Sequence, residues 1–203
     1  MNQFKSFTGG ALDTNCFFYQ APQGGLLFDA PQGADAAFAE ERVDLLLLTH
    51  GHFDHVADAA AIIKRHGCKV ALHADTLPMV TDREFFRSWG YGLEIEPFNA
   101  DILLTEGPGQ DFLGAEFQLF EVPGHCPGSL CFFLPKERIV VGGDVLFRGG
   151  VGRWDLPGGD RDLLFSGIRQ KLLTLPDDVV VLPGHGPATT IGLEKRENPY
   201  LSE

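Results

Sequence analysis

The chain has 203 residues, 44 % of them hydrophobic, which is typical of a globular protein with a buried core. Acidic residues outnumber basic residues by 28 to 16, so the formal net charge at pH 7 is −12. This charge argues against nucleic acids and anionic membranes as partners, because both bind basic patches, and the length predicts a single domain over residues 1–203.

The start of the chain predicts no export signal. The first twenty residues lack the basic run and apolar segment of a secretory signal, and no apolar run reaches the roughly 20 residues that span a bilayer. The four cysteines, Cys16, Cys68, Cys126 and Cys131, show no CxxC spacing, which favours reduced thiols. We therefore expect a soluble cytoplasmic protein.

The first half of the sequence alternates between strand and helix patterns. The predicted elements are strands over Asn15–Tyr19 and Leu26–Asp29, a short helix over Asp35–Arg42, a strand over Asp44–Thr49, a helix over Asp54–His66 and a strand over Lys69–Leu72. The turn-rich APQGG between the first two strands predicts a hairpin. An acidic start, one apolar face and a basic end before Gly67 predict that Asp54–His66 is one continuous helix.

The second half is richer in strands. After the aromatic segment Phe85–Phe98, the predicted elements are strands over Ile102–Leu104, Glu116–Val122, Ser129–Leu134 and Arg138–Val141, a helix over Asp160–Leu175, a strand over Val179–Leu182 and a short helix after Thr189. The aromatic segment fits equally well as a cleft wall or as a cover for the core. Strands on both sides of the helical segments predict an α/β protein with two packed sheets and outer helices.

Five of the seven histidines and two aspartates lie in short, glycine-containing turns after apolar strands. These residues are His50, His52, Asp54 and His55 in THGHFDH, His125 in VPGHCPGS, Asp144 in VVGGDVLF and His185 in VLPGHGPA. Unpaired polar groups at the edge of a core cost free energy, whereas strand ends that lie side by side can gather such groups into a site. Imidazoles and carboxylates bind zinc, iron or manganese, and seven of them match two ions that share a bridging carboxylate.

The four motifs together resemble the metallo-β-lactamase superfamily, and most closely its small glyoxalase-II-like hydrolases. THGHFDH is similar to the HxHxDH signature, VPGHCPGS to the GHxPG turn, GGDVLF to the GD-LF segment and PGHGP to the final histidine turn of that family. The motifs occur in the family's order, and the similarity extends from about Thr8 to Ile191, which makes the ordered set specific.

The resemblance implies a four-layer αββα sandwich of two mixed sheets with outer helices. It also implies two divalent metal ions, zinc first and iron or manganese as alternatives. The implied ligands are His50, His52 and His125 for one ion, Asp54, His55 and His185 for the other, and Asp144 as the bridge. Asp29 in LLFDAP would accept an N–H from a ligand histidine, and Arg153 in GVGRWDLPGG would bind substrate.

The activity implied by this metal pair is hydrolysis of a thioester such as a hydroxyacyl-glutathione. Two nearby cations lower the pKa of a bridging water towards neutrality and polarise a carbonyl, and Asp54 and Asp144 would take part in the catalysis. The thiolate leaves readily, because the pKa of a free thiol is about 8.5. The tail after His185 offers Lys195, Arg196 and Tyr200 but no further helical domain to bind glutathione, so the sequence leaves the thiol carrier open.

Two other functions remain open. Persulfide dioxygenases share this scaffold and resemble the chain at Gly150, Gly152, Arg153 and Asp155; their single iron would be held here by His50, His125 and Asp144. A non-catalytic metal-binding module is the second alternative. The β-lactamase branch fits less well, because its members usually carry an export signal and lack the bridging aspartate.

Overall fold

Two six-stranded sheets form the centre of the molecule in the computed structural model, which describes residues 4–89 and 94–201. The first sheet contains, in spatial order, β1 (Phe4–Gly9), β2 (Thr14–Ala21), β3 (Gly24–Phe28), β4 (Leu45–Leu47), β5 (Lys69–His73) and β6 (Ile102–Leu104). Strands β1 to β3 are antiparallel and strands β3 to β6 are parallel, so the sheet is mixed. The predicted hairpin between β2 and β3 is confirmed.

The second sheet is also mixed. It contains, in spatial order, β14 (Thr189–Thr190), β13 (Val180–Pro183), β10 (Ile139–Gly143), β9 (Leu130–Leu134), β8 (Ala115–Glu121) and β7 (Gly107–Phe112). Only the pair β10 and β13 is parallel among these neighbours in the described residues. A small separate hairpin follows β10 and is formed by β11 (Leu146–Phe147) and β12 (Gly150–Val151).

Helices cover the outer faces of both sheets. They are α1 (Ala34–Ala37), α2 (Phe53–Val56), α3 (Ala59–His66), α4 (Leu77–Thr81), α5 (Arg161–Gly167) and α6 (Ile191–Glu197), with 3-10 turns at Ala74–Thr76 and Phe85–Trp89 and a π-helical turn at Ile168–Leu172. No helix among the residues that the structure describes is both long enough and apolar enough to cross a membrane.

Three apolar layers hold the four structural layers together. Phe28 and Leu47 of the first sheet pack against Phe117 and Phe132 of the second, which forms the central core. Strand residues that point outwards belong to two further cores: Phe18 and Leu46 lie in one core with Ile62 of α3, and Val140 and Val181 lie in the other with Leu164 of α5. Because side chains alternate along a strand, each sheet has two buried faces, and the predicted αββα sandwich is confirmed.

The predicted helix over Asp54–His66 is wrong in one respect, because it is broken into α2 and α3 around Asp58. The Asp58 carboxylate accepts hydrogen bonds from the backbone N–H groups of Gly33 at 2.8 Å and Asp35 at 3.1 Å. Its own N–H donates to the carbonyl of Ala30 at 2.9 Å. These contacts to a distant loop replace the helical hydrogen bonds, which the local pattern alone could not indicate.

The aromatic segment has both of the functions considered for it. Phe86 is fully buried and packs in the outer core of the first sheet, whereas the Trp89 ring lies 5.5 Å from the His52 ring. Tyr91 lies outside the described residues. The segment therefore covers the core with one side and approaches the histidine cluster with the other.

Candidate metal centre

The seven predicted ligand residues meet at one end of the sandwich, where strands of both sheets terminate. His50 and His52 follow β4, and Asp54 and His55 lie on α2, so this group comes from the first sheet. The second sheet supplies the others: His125 lies between β8 and β9, Asp144 follows β10 and His185 follows β13. The packing of the two sheets thus brings together His50 and His185, which are 135 positions apart in the sequence.

Three histidines form the first group of potential ligands. His50, His52 and His125 are all buried, and each offers a ring nitrogen within 4.8 Å of the others. The Nδ1 atom of His52 lies 2.9 Å from the Nε2 atom of His125. Two neutral imidazole nitrogens at this distance either share a proton or face a common cation, so this group has the composition of a histidine metal site.

Asp54, His55 and His185 form the second group, again with ligand atoms within 4.8 Å of one another. The Nε2 atoms of His55 and His185 lie 3.5 Å and 3.3 Å from the Asp54 carboxylate. His55 is fully buried, whereas the side chains of Asp54 and His185 are 11 % and 25 % exposed and face the cleft. The second group is therefore the more accessible to solvent.

Asp144 lies between the two groups. Its carboxylate oxygens are 3.3 Å from the Nε2 atoms of His55 and His185, and 3.4 Å from the Nε2 atom of His125. One carboxylate thus contacts histidines of both groups. This is the position from which a carboxylate can bridge two cations.

Several buried ligand atoms have no hydrogen-bond partner among the described residues. They include the Nε2 atoms of His50 and His55 and the Oδ1 atom of Asp144. Buried polar atoms in native proteins are nearly always paired, and an unpaired one costs roughly 1–3 kcal/mol. A metal ion would satisfy such atoms, so the donor set fits two divalent cations.

In four of the histidines, the ring nitrogen that points away from the site is Nδ1, and it donates a hydrogen bond to a nearby acceptor. Their partners are Thr49 Oγ1 for His50 at 3.0 Å, Asp29 Oδ2 for His55 at 2.8 Å, the Arg153 carbonyl for His125 at 2.8 Å and the Leu12 carbonyl for His185 at 2.9 Å. Each acceptor requires the proton on Nδ1, so the Nε2 lone pair faces the site.

Asp29 connects the strands to the ligands. Its carboxylate accepts hydrogen bonds from the backbone N–H and the hydroxyl of Thr49, both at 2.8 Å, in addition to the bond from His55. Asp29 is 2 % exposed and has a φ of 61°, in the left-handed region that aspartate and asparagine tolerate better than most residues. The carboxylate thereby fixes the orientations of His50, through Thr49, and of His55.

Close packing leaves no room for a side chain at Gly184. A Cβ atom there would lie 2.1 Å from Asp144 Oδ1 and 2.7 Å from the His55 ring. The backbone around it is also fixed, because the Gly184 carbonyl accepts from the Asn15 N–H at 2.7 Å. Next to Asn15, Thr14 donates its hydroxyl proton to the Asp54 carboxylate at 2.8 Å.

Burial keeps three of the histidines neutral. It lowers the pKa of His50 well below the ordinary value and lowers the pKa of His125. Burial, together with the neighbouring His125, lowers the pKa of His52 to about 3. Neutral imidazoles retain a lone pair, which is the form that binds a metal.

The carboxylates have the opposite effect on the pKa of the two remaining histidines. Burial lowers the pKa of His55, but Asp144, Asp54 and Asp29 outweigh it and raise this pKa well above the ordinary value. Burial likewise opposes the effect of Asp144 and Asp54 on His185, whose pKa nevertheless rises to about 10. Burial raises the pKa of Asp54, yet His55 and His185 lower it to about 2. The carboxylates thus favour positive charge at these two positions.

A cleft of about 620 Å³ gives access to the centre. It is lined by the exposed edges of the ligand residues and by Leu12, Phe53, Trp89, Phe147, Val151, Arg153 and Leu156. The cleft is mostly apolar around a polar floor, which is the usual composition of a small-molecule site. The Arg153 side chain at its rim donates two hydrogen bonds to Asp155, at 2.8 Å and 2.9 Å.

Sequence reasoning missed two residues of the centre, Thr14 and Thr49, which hydrogen-bond to Asp54 and Asp29. The only local signal for Thr49 was its position directly before His50. Thr14 comes from a distant segment, so no spacing rule pointed to it. Trp89, which packs against His52, belongs to the aromatic segment that was considered as a cleft wall.

The chain is similar throughout to proteins of known family. The sequence model of the metallo-beta-lactamase superfamily matches residues 9–185. The hydroxyacylglutathione hydrolase GloC of Haemophilus influenzae is 39 % identical over 168 residues, which cover 80 % of this chain and 79 % of GloC.

Two solved structures are similar to this chain in fold as well as in sequence. The B3 metallo-beta-lactamase BLEG-1 is 35 % identical, with a TM-score of 0.92 over 98 % of this chain and 100 % of that one. TTHA1623, solved in a di-iron-bound form, is 38 % identical, with a TM-score of 0.85 over 97 % of this chain and 100 % of that one. The chain therefore belongs to the metallo-beta-lactamase superfamily, as its motifs predicted.

Proposed function

We propose that this protein is a dinuclear metal-dependent hydrolase that cleaves small-molecule thioesters of the hydroxyacyl-glutathione type. The observation that carries the proposal is the meeting of two ligand groups around Asp144 at the floor of an open cleft, with buried ligand atoms left unpaired. The likeness to GloC supports the thioester class. We favour zinc as the metal, with iron and manganese as alternatives.

Several residues of the cleft would have separate roles in such a reaction. Two cations held by these residues would lower the pKa of a bound water and polarise the substrate carbonyl. Asp54 faces the cleft, and the Thr14 hydroxyl, which donates to Oδ2, fixes its carboxylate so that the other oxygen can orient an attacking water. Trp89, Phe147 and Val151 exclude bulk water from the reacting groups, and Arg153 lies where it can bind the substrate at the rim.

The proposal is tested with S-lactoylglutathione and the variant Asp144→Asn. We expect a loss of more than about a hundredfold in kcat/KM, since one oxygen of the shared carboxylate becomes an amide nitrogen that cannot bind a cation. Asp178→Asn is the matched control, because Asp178 pairs with Arg138 on the surface. Wild-type activity in Asp144→Asn, or in chelator-treated protein, would contradict the proposal.

A second candidate activity is hydrolysis of β-lactams. The specific observation in its favour is the 35 % identity to BLEG-1 over nearly the whole chain. Against it stands Asp144, because the β-lactamase branch usually lacks the bridging aspartate. A chromogenic cephalosporin assayed beside the thioester separates the two: we expect a kcat/KM at least about a hundredfold lower for the cephalosporin.

A mononuclear iron dioxygenase is the alternative that the motifs left open, and metal analysis with oxygen uptake on a persulfide tests it. The arrangement of Asp54, His55 and His185 favours the dinuclear hydrolase, because a single iron would leave this second group without a function. A cytoplasmic location also remains our proposal. It is supported by the four cysteines, all of which are free and buried.

A further inference from the structure

A further set of potential metal ligands lies outside the candidate centre, and we name it the His73 cluster. It consists of His73, Asp75 and Glu121, each of which offers one ligand atom within 4.8 Å of the others. His73 is the last residue of β5 and Glu121 is the last residue of β8, so the cluster joins the two sheets. Asp75 lies on the 3-10 turn Ala74–Thr76, directly after β5.

The imidazole ring of His73 lies between the two carboxylates. Its Nδ1 atom is 3.7 Å from Asp75 Oδ2, and its Nε2 atom is 3.6 Å from Glu121 Oε2. Both distances are too long for hydrogen bonds. The ring accepts one long hydrogen bond, from the Asp75 N–H to Nδ1 at 3.2 Å, which leaves it free to exchange a proton for a cation. One imidazole and two carboxylates form a donor set that suits zinc and related divalent ions.

The two carboxylates of the cluster have no basic partner other than His73 among the residues that the structure describes. Lys171 contacts the backbone carbonyl of Glu121 at 2.6 Å, but its ammonium group pairs with the carboxylate of Glu106 at 2.9 Å. Two carboxylates this close together repel each other, on a chain whose net charge is already −12. A divalent cation would offset this repulsion.

A buried hydroxyl group borders the cluster and has no partner. Thr76 is fully buried, and its Oγ1 atom makes no hydrogen bond to any described residue. A Cβ atom at Gly128 would lie 2.9 Å from His73 Nδ1 and 3.0 Å from Thr76 Oγ1, so both polar atoms face the same small space. Buried hydroxyl groups are nearly always paired in native proteins, and a hydrated cation in this space would supply the missing partner.

The turn that carries Asp75 and Thr76 packs against the loop of the candidate centre. A Cβ atom at Gly51, which lies between His50 and His52, would be 2.9 Å from Thr76 Cγ2. None of the three cluster residues lines the cleft above the centre. An ion in the cluster would therefore support the ligand loop from the side and would not contact a substrate.

We propose that His73, Asp75 and Glu121 bind a divalent transition-metal ion in addition to the ions of the candidate centre. The ion fastens the turn Ala74–Thr76 to the end of β8, and it holds in place the loop that contains His50 and His52. Its affinity is lower than that of the candidate centre, because the side chains of Asp75 and Glu121 are 61 % and 32 % exposed. The proposal does not depend on thioester hydrolysis.

The first test counts zinc ions bound by the purified protein, by equilibrium dialysis followed by metal analysis. We expect the wild type to bind one equivalent more than Glu121→Gln, in which this last equivalent binds at least about tenfold more weakly because a ligand charge is lost. Glu116→Gln is the matched control, since Glu116 is an exposed residue of the same strand. The difference of one equivalent is independent of the number of ions in the candidate centre.

The second test fills the space beside the cluster. In Gly128→Ala the new methyl group would occupy the position between His73 Nδ1 and Thr76 Oγ1. Gly109→Ala is the matched control, because the φ angles of the two glycines are 72° and 69°, whereas a Cβ atom at Gly109 meets nothing within 4 Å. We expect Gly128→Ala to lose the additional equivalent of zinc and Gly109→Ala to retain it.

Each outcome of the two tests decides the proposal. Equal zinc stoichiometry and affinity in the wild type and Glu121→Gln would overturn the site, as would equal losses in Glu121→Gln and Glu116→Gln. Glu121→Gln changes a partly exposed side chain, so it decides the question even if Gly128→Ala does not fold. Absence of thioester hydrolysis in the wild type would contradict the proposed function and would leave the zinc count of the His73 cluster unaffected.

Discussion

At the scale of single residues, the candidate centre depends on the groups behind the ligands as much as on the ligands themselves. Asp29 supports two of the histidines at once, directly for His55 and through the Thr49 hydroxyl for His50. Hydrogen bonds of this kind orient a ligand ring and raise its basicity. A carboxylate that binds no metal should therefore still control metal affinity.

The variant Asp29→Asn tests this role. Asparagine tolerates the left-handed φ of 61° and keeps one oxygen for the Thr49 N–H, so the change removes mainly charge and acceptor capacity. We expect metal affinity to fall about 10- to 100-fold, measured by competition with a chromogenic chelator. Asp35→Asn, which alters a surface pair with Arg65, serves as the control. Unchanged affinity in Asp29→Asn would refute the role of Asp29.

At the scale of elements, the sequence predicted those strands and turns whose signals are local. The strand Ile102–Leu104 has the bounds that were expected, and the segments that carry the seven candidate ligands follow apolar strands as predicted. The edge strands β1 and β7 and the break at Asp58 were missed. Their causes lie elsewhere in the chain, in pairing with β2 and β8 and in hydrogen bonds to residues 30–35.

The helix predicted over Asp160–Leu175 shows the same limit. The sequence predicted a helix here, but the chain changes from α-helix to a π-helical turn at Ile168. Likewise, the motifs identified all seven candidate ligands, whereas the hydrogen bond of Thr14 to Asp54 could be found only in the folded chain. Local patterns therefore determined the elements and the candidate ligands, and tertiary contacts determined their ends and their supports.

The hairpin of β11 and β12 offers a prediction at this scale. A Cβ atom at Gly152, just after β12, would lie 1.9 Å from the Asp144 carbonyl oxygen and 3.0 Å from His125 Cβ. We expect Gly152→Ala to displace these residues, lowering both metal occupancy and the free energy of unfolding, the latter by about 1–3 kcal/mol. Metal analysis and urea denaturation measure the two effects.

Gly150→Ala is the matched control within the same hairpin. Its Cβ would meet only Phe147 Cβ, at the ordinary contact distance of 3.7 Å. We expect this variant to keep its metal and its stability. Equal behaviour of the two alanine variants would show that close packing at Gly152 does not support the centre.

At the scale of the whole molecule, the site depends on how the two sheets pack. Residues 50–55 follow the first sheet, and Asp144 and His185 follow the second, so the central apolar layer sets the distance between the two halves of the centre. Phe132 is fully buried in that layer, with its ring 5.5 Å from the Phe28 ring of the opposite sheet. Packing energy in the core is thereby linked to the geometry of the site.

The variant Phe132→Ala tests the contribution of this layer. Removal of a buried phenylalanine ring leaves a cavity, and we expect the free energy of unfolding to fall by about 3–5 kcal/mol in urea denaturation. Leu103→Ala is the control, because Leu103 is 55 % exposed and should change the stability by less than about 0.5 kcal/mol. A loss below about 1 kcal/mol in Phe132→Ala would contradict the assignment of the central core.

The most direct test of the dinuclear centre is a titration of metal-depleted protein with zinc, in which thioester hydrolysis is followed as a function of the metal-to-protein ratio. Two ligand groups joined by Asp144 predict that activity is absent without metal and rises until two equivalents per chain are bound. Full activity in the metal-depleted protein, or a maximum at one equivalent, would contradict a pair of cations held between the two sheets.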